Sequence, residues 1–171
     1  MKTAKLLKTF IDMFLLIFIL AVLFGGALLI IFMVTGEYQS VLNVPEKYKT
    51  VNLSNWMPRV FLILALMEYI LFITGMYFLK RSLTHLVNGS YYSEKVIAYF
   101  KTAGKLLVTV GITTLVLRFL ADILLIDSIA LTLDSTAYSL LFVTIMGLFF
   151  MLFSTVFANS KKLKEENDLT I

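Results

Sequence analysis

From residue 13 to residue 35 the chain runs without a charge, bounded by Asp12 and Glu37. A second apolar run covers 58–79 and is interrupted by a single charge, Glu68. A third, 106–126, holds Arg118 and Asp122, and a fourth, 137–159, holds no charge at all. Each reaches the roughly 20 residues that a helix rising ~1.5 Å per residue needs to cross ~30 Å of hydrocarbon. Backbone polar groups find no water at that depth, so segments of this kind are helical. The pattern predicts an all-α membrane protein. Its expected architecture is a four-transmembrane-helix bundle forming a single domain over 1–171, with a short tail at 160–171.

The connections between the runs are read from their breakers and caps. The segment 36–57 is the only sizeable loop on its side; Pro45 breaks it, and Trp56 stands where an interfacial aromatic belongs. Pro58 suits the first turn of a helix, where its missing N–H costs nothing. The connection 127–136 is short and acidic and is expected only to turn the chain. In the middle loop Asn88-Gly89 is a turn signal and Ser93 an N-cap for a helix starting at Glu94. From there Val96, Phe100, Ala103 and Leu107 recur at helical spacing, with Lys95, Lys101 and Lys105 elsewhere on the surface. This predicts a short amphipathic inner-loop helix lying in the interface and feeding the third span; the alternative is a plain extension of that span. No repeat of fixed period is present. Lys2, Lys5 and Lys8 resemble the start of a signal peptide. The apolar run after them is too long for that and lacks a small-residue cleavage site, so an uncleaved first helix is expected.

Composition supports the lipid reading. Hydrophobic residues make up 60% of the chain and charged residues 15%, against roughly 45–50% and about a quarter in soluble domains. The formal net charge of +4 does not signal direct nucleic-acid binding, because the basic residues flank apolar segments and form no stripe. Their distribution gives the orientation. One side collects eleven, from Lys2, Lys5 and Lys8 through the middle loop to Lys161, Lys162 and Lys164; the other has Lys47, Lys49 and Arg59. Both termini are therefore expected in the cytoplasm of a multi-pass protein of the bacterial plasma membrane. The absence of cysteine removes disulfides and thiolate chemistry together.

The inventory of chemistry is short. His85 is the only histidine, which excludes a multi-histidine metal site within one chain; no metal, no cofactor and no enzymatic activity are expected. His85 reads as a solvated interfacial residue near Lys80 and Arg81. The tripeptides Asn52-Leu53-Ser54 and Asn88-Gly89-Ser90 match the glycosylation pattern without carrying weight. The intramembrane polar cluster Glu68, Arg118 and Asp122 is more informative, since a charge at bilayer depth costs on the order of 2.5–3.5 kcal/mol and normally faces the bundle and pairs. Arg118 and Asp122 are four apart, on one helix face. Depth along the helices places Glu68 opposite Arg118, so those two are expected to pair. The cluster serves either as a proton relay or substrate site, or as an ion cluster that fixes helix register; the second is preferred. Small residues mark packing faces: Thr144, Gly147, Ser154 and Ala158 with Met151 on the fourth run, and Ala21 with Gly25 on the first. Such faces serve the bundle or a homo-oligomer.

The tail, Leu163-Lys164-Glu165-Glu166-Asn167-Asp168-Leu169-Thr170-Ile171, resembles the ending of the YoaS-like bacterial membrane proteins, domain-of-unknown-function family 2975. The Asn88-Gly89 turn followed by aromatics and Ser93-Glu94 is similar to that family's middle loop. The resemblance implies four helices and no assigned activity. It also implies an association with small cytoplasmic DNA-binding regulators of the helix-turn-helix type, with Leu163, Glu165, Glu166, Asp168 and Leu169 as the partner-contact tail. The expected function is thus a regulatory or signalling membrane protein. A small transporter or efflux component using the intramembrane charges is the alternative.

Overall fold

The structure is a computed structural model that describes residues 2–35, 48, 51, 55–91, 93–126 and 134–169. Pro45, the Asn52 tripeptide and the last two residues of the tail lie outside the described residues, as does most of 127–136. Four long helices account for nearly everything described: α1 Lys2–Thr35, α2 Trp56–Val87, α3 Glu94–Ile126 and α4 Ser135–Asp168. Each is long and apolar enough to cross a membrane, and the chain reads as a multi-pass membrane protein. Each also outruns its apolar segment, because the flanking Lys, Glu and Ala residues are good helix formers and nothing breaks them.

The second helix ends where the sequence supplies the means. Gly89 takes φ +82°, a left-handed conformation in which a side chain would strain the backbone. The Gly89 amide donates to Leu86 O and the Ser90 amide to His85 O, which satisfies carbonyls at the helix end. Ser93 then caps α3, its Oγ accepting from the Val96 amide at 3.3 Å.

No separate inner-loop helix is formed. α3 runs unbroken from Glu94 to Ile126, so the amphipathic segment expected in the interface is the first part of the third span. Its apolar face does not rest on lipid headgroups: Val96, Phe100, Ala103 and Leu107 are buried among helices. The reason is that 94–106 contains no breaker. Its one glycine, Gly104, is where α4 crosses.

Consecutive helices pack antiparallel, as expected for short connections, and they form a row. Backbone approach is confined to α1 with α2, α2 with α3, and α3 with α4. The α3–α4 seam is the closest. A Cβ on Gly104 would stand 2.6 Å from Gly147 O, and one on Gly147 would stand 2.8 Å from Gly104 O. Thr144 sits against Gly111 and Met151 against Gly104, while Ser154 Oγ donates to Ile97 O at 2.8 Å. The small-residue stripe of α4 is thus its face toward α3. On α1 the Ala21/Gly25 pair packs against nothing among the described residues: Ala21 is exposed and a Cβ on Gly25 meets none of their atoms within 4 Å.

The row has two unlike halves. In the half that carries the lysines, Ile11, Leu15, Leu79, Leu83, Val96, Phe100 and Ala103 form one core, with Phe150 and Phe157 packed against it. Buried Ser82 donates to Val96 O at 3.2 Å. Asp12 holds this basic end together, accepting from Lys8 at 3.2 Å and meeting Lys80 at 2.9 Å. Glu94 and Lys161 join the start of α3 to the end of α4 at 2.9 Å. Large apolar side chains are exposed along the helices, Phe24 at 70% and Phe142 at 63% among them.

Candidate functional site: a cavity in the half opposite the lysines

The opposite half contains a cavity of about 690 Å³, within the range of roughly 300–1,000 Å³ typical of small-molecule sites. All four helices contribute. Phe18 comes from α1, Phe61, Ala65 and Phe72 from α2, Leu117 and Ala121 from α3, and Leu140 and Val143 from α4. Phe18 meets the rings of Tyr69 and Phe72 edge-on, at 6.0 and 5.3 Å. Two residues from the connection between α1 and α2, Tyr48 and Val51, also line it. Val51 is buried against Leu62, Leu125 and Ile126, so Tyr48 and Val51 cover the cavity beside the ends of α2 and α3.

Polar groups in the wall are few. Glu68 of α2 and Arg118 of α3 both line the cavity, so the two charges thought to share a depth also share a space. They do not pair. Arg118 makes a two-pronged ion pair with Asp134, Nη1 donating to Oδ1 at 2.7 Å and Nη2 to Oδ2. The same carboxylate caps α4, accepting from the Ala137 amide at 3.0 Å. Asp134 wins because the short connection from α3 delivers it, fixed by its cap, to the helix end that Arg118 reaches. The planar guanidinium and carboxylate then match. The Arg118 guanidinium beside Asp134, with the Ala137 amide, holds the Asp134 carboxyl well below the usual carboxylate range.

Asp122, one turn beyond Arg118, is buried and accepts from the Tyr48 hydroxyl at 2.6 Å. That bond ties the α1–α2 connection to α3. Glu68 is left differently: among the described residues its Oε2 is buried without a hydrogen-bond partner. Of the three charges in the predicted cluster, Arg118 and Asp122 are thus engaged by residues outside it. Asp134 and Tyr48 went unrecognised in the sequence. Asp134 had a signal, an Asp directly before Ser-Thr-Ala and an apolar run; Tyr48 had none.

The tail continues α4 as helix to Asp168. Glu165 and Glu166 pair with Lys161 and Lys162 at 3.5 and 3.7 Å along the helix, and Leu163 and Leu169 are exposed. At the basic end His85 stacks on Tyr99 with centroids 5.8 Å apart, and Arg81 lies over the rings of Tyr77 and Tyr99. His85 therefore belongs to an aromatic cluster at the end of α2. Among the described residues no group of acidic and histidine side chains could hold a metal ion.

The family model described as "Protein of unknown function (DUF2975)" matches residues 37–171. The match takes in α2, α3 and α4, together with Tyr48 and Val51. No curated protein and no solved structure matches the chain.

Proposed function

The chain belongs to the DUF2975 family, and from that premise we propose a non-enzymatic regulatory protein of the bacterial plasma membrane with both termini cytoplasmic. Its cavity receives an apolar ligand from the membrane, and its basic end and tail contact a cytoplasmic helix-turn-helix regulator. The observation that carries this reading is the contrast between the halves. The cavity lies wholly in one, and the other is filled by the core around Val96, Phe100 and Leu83. A pocket closed toward the cytoplasm suits a receptor better than a conduit. The eleven basic residues at the packed end support the orientation. The exposed apolar side chains of Leu163, on helix that extends beyond the apolar run, and of Leu169, at its C-cap, support the tail as contact surface.

Transport is the second reading, favoured by one feature: Glu68 lines the cavity with one carboxylate oxygen that has no partner among the described residues, the kind of group a coupling ion requires. The experiment that separates the two is gentle extraction of the full chain and of a variant lacking 163–171. The regulator should co-purify with the first and not with the second, while both insert in the membrane equally. Recovery of no such partner with the full chain removes the regulatory reading.

A further inference from the structure

The charged groups in the cavity wall and those paired with them are unequally served. Arg118 is engaged on both Nη atoms by Asp134. Asp122 accepts from Tyr48, and Asp134 has both the guanidinium and the Ala137 amide. Glu68 alone in this group presents a buried carboxylate oxygen with no donor among the described residues. Asp134 and Asp122 both act on the Arg118 guanidinium, so among the described residues it has no pairing to spare for Glu68. The remaining wall is almost entirely apolar and aromatic, with Phe18, Phe61, Tyr69 and Phe72 on the side of Glu68. A buried charge without a counter-charge is costly. A cation held between aromatic faces gains both from the carboxylate and from the rings.

We infer that the cavity is a binding site for a lipophilic cation, an amine or quaternary onium group set in a hydrophobic body, with Glu68 as its counter-ion. This rests on the ligand-receiving reading above and narrows it to a charge type. The cationic centre sits beside the Glu68 carboxylate, the aromatic rings cover it, and the hydrophobic body fills the space toward Leu117, Ala121 and Val143. Arg118 takes no part in the attraction, because Asp134 already neutralises it, and among the described residues of the wall an anionic amphiphile finds no free positive partner.

Tetraphenylphosphonium and tetraphenylborate have nearly the same shape and opposite charge, which makes them the decisive probes. Their saturable binding is measured on the full chain in lipid nanodiscs, with protein-free nanodiscs subtracted. The neutral fluorophore N-phenyl-1-naphthylamine serves as a third probe. Tetraphenylphosphonium should bind saturably, Glu68→Gln should weaken it at least tenfold, and tetraphenylborate should show no saturable binding. Ala121→Phe, which fills part of the cavity and leaves Glu68 in place, should weaken it as well. It also keeps the test intact if Glu68→Gln does not fold. Retained affinity in a folded Glu68→Gln, or equal binding of the two ions, overturns the cationic assignment and leaves the apolar receptor standing. The same holds if only the neutral probe binds wild type and is lost in Ala121→Phe. Saturable binding of none of the three removes both.

Discussion

Asp134 does two jobs with one carboxylate, capping α4 and neutralising Arg118. Its folded pKa is depressed, so the stability it contributes is fully present above the ordinary carboxylate value, about 3.9. That contribution is lost only as pH falls through the lower folded value. Asp134→Asn keeps a capping oxygen and removes the charge. Its melting temperature in detergent should lie below wild type by a constant gap from pH 7 to about 5, and the gap should close only in stronger acid. Combining it with Arg118→Gln should melt no lower than the worse single variant, since each single change strands the other charge. Strictly additive losses would show that the pair is not coupled. At this scale the sequence was half legible. Rise per residue gave the depths of Glu68 and Arg118 and brought both to one cavity. The partner of Arg118 depended on where a short connection delivers Asp134, which no periodicity encodes.

Hydrocarbon makes helices easy to read, and all four follow directly from the charge-free runs. Their ends were less legible: a span is bounded by the bilayer, whereas a helix stops only at a breaker such as Gly89. That is why α3 swallowed the segment expected to lie apart from it. The periodic face of Val96, Phe100, Ala103 and Leu107 was read correctly as one face, but periodicity does not say whether lipid or protein covers it. The α4 stripe and the α1 pair looked alike as small-residue patterns and proved unlike in use. Gly104→Ala should therefore destabilise, by about 1–3 kcal/mol for an overpacked contact, because its Cβ would press on the Gly147 carbonyl and the Met151 amide. Gly25→Ala meets open space and removes a flexible helix position, so it should leave stability unchanged or raise it by up to about 1 kcal/mol. Thermal unfolding of both variants in one detergent checks the contrast, and equal effects would contradict the close crossing of α3 and α4.

The whole molecule is polar along its length, packed and basic at one end and hollow at the other. Single cysteines at Ser40 and Ser90 test which end faces the cytoplasm: an impermeant maleimide on intact cells should label the first and spare the second. Labelling at Ser90 alone would invert the orientation. The division into halves was not legible in sequence, since the residues of core and cavity are equally apolar and only their packing differs. Nor was the row. Four runs suggested a bundle, yet α1 lies beside α2 alone, and the family match begins beyond it at residue 37. A row bears load differently from a closed ring. Among the described residues, tension applied at the first residues reaches α3 and α4 through the seam of α1 and α2. The seam held by Asp12 and Lys80 is then the place where such a pull is handed on, ahead of the interlocked glycines of α3 and α4.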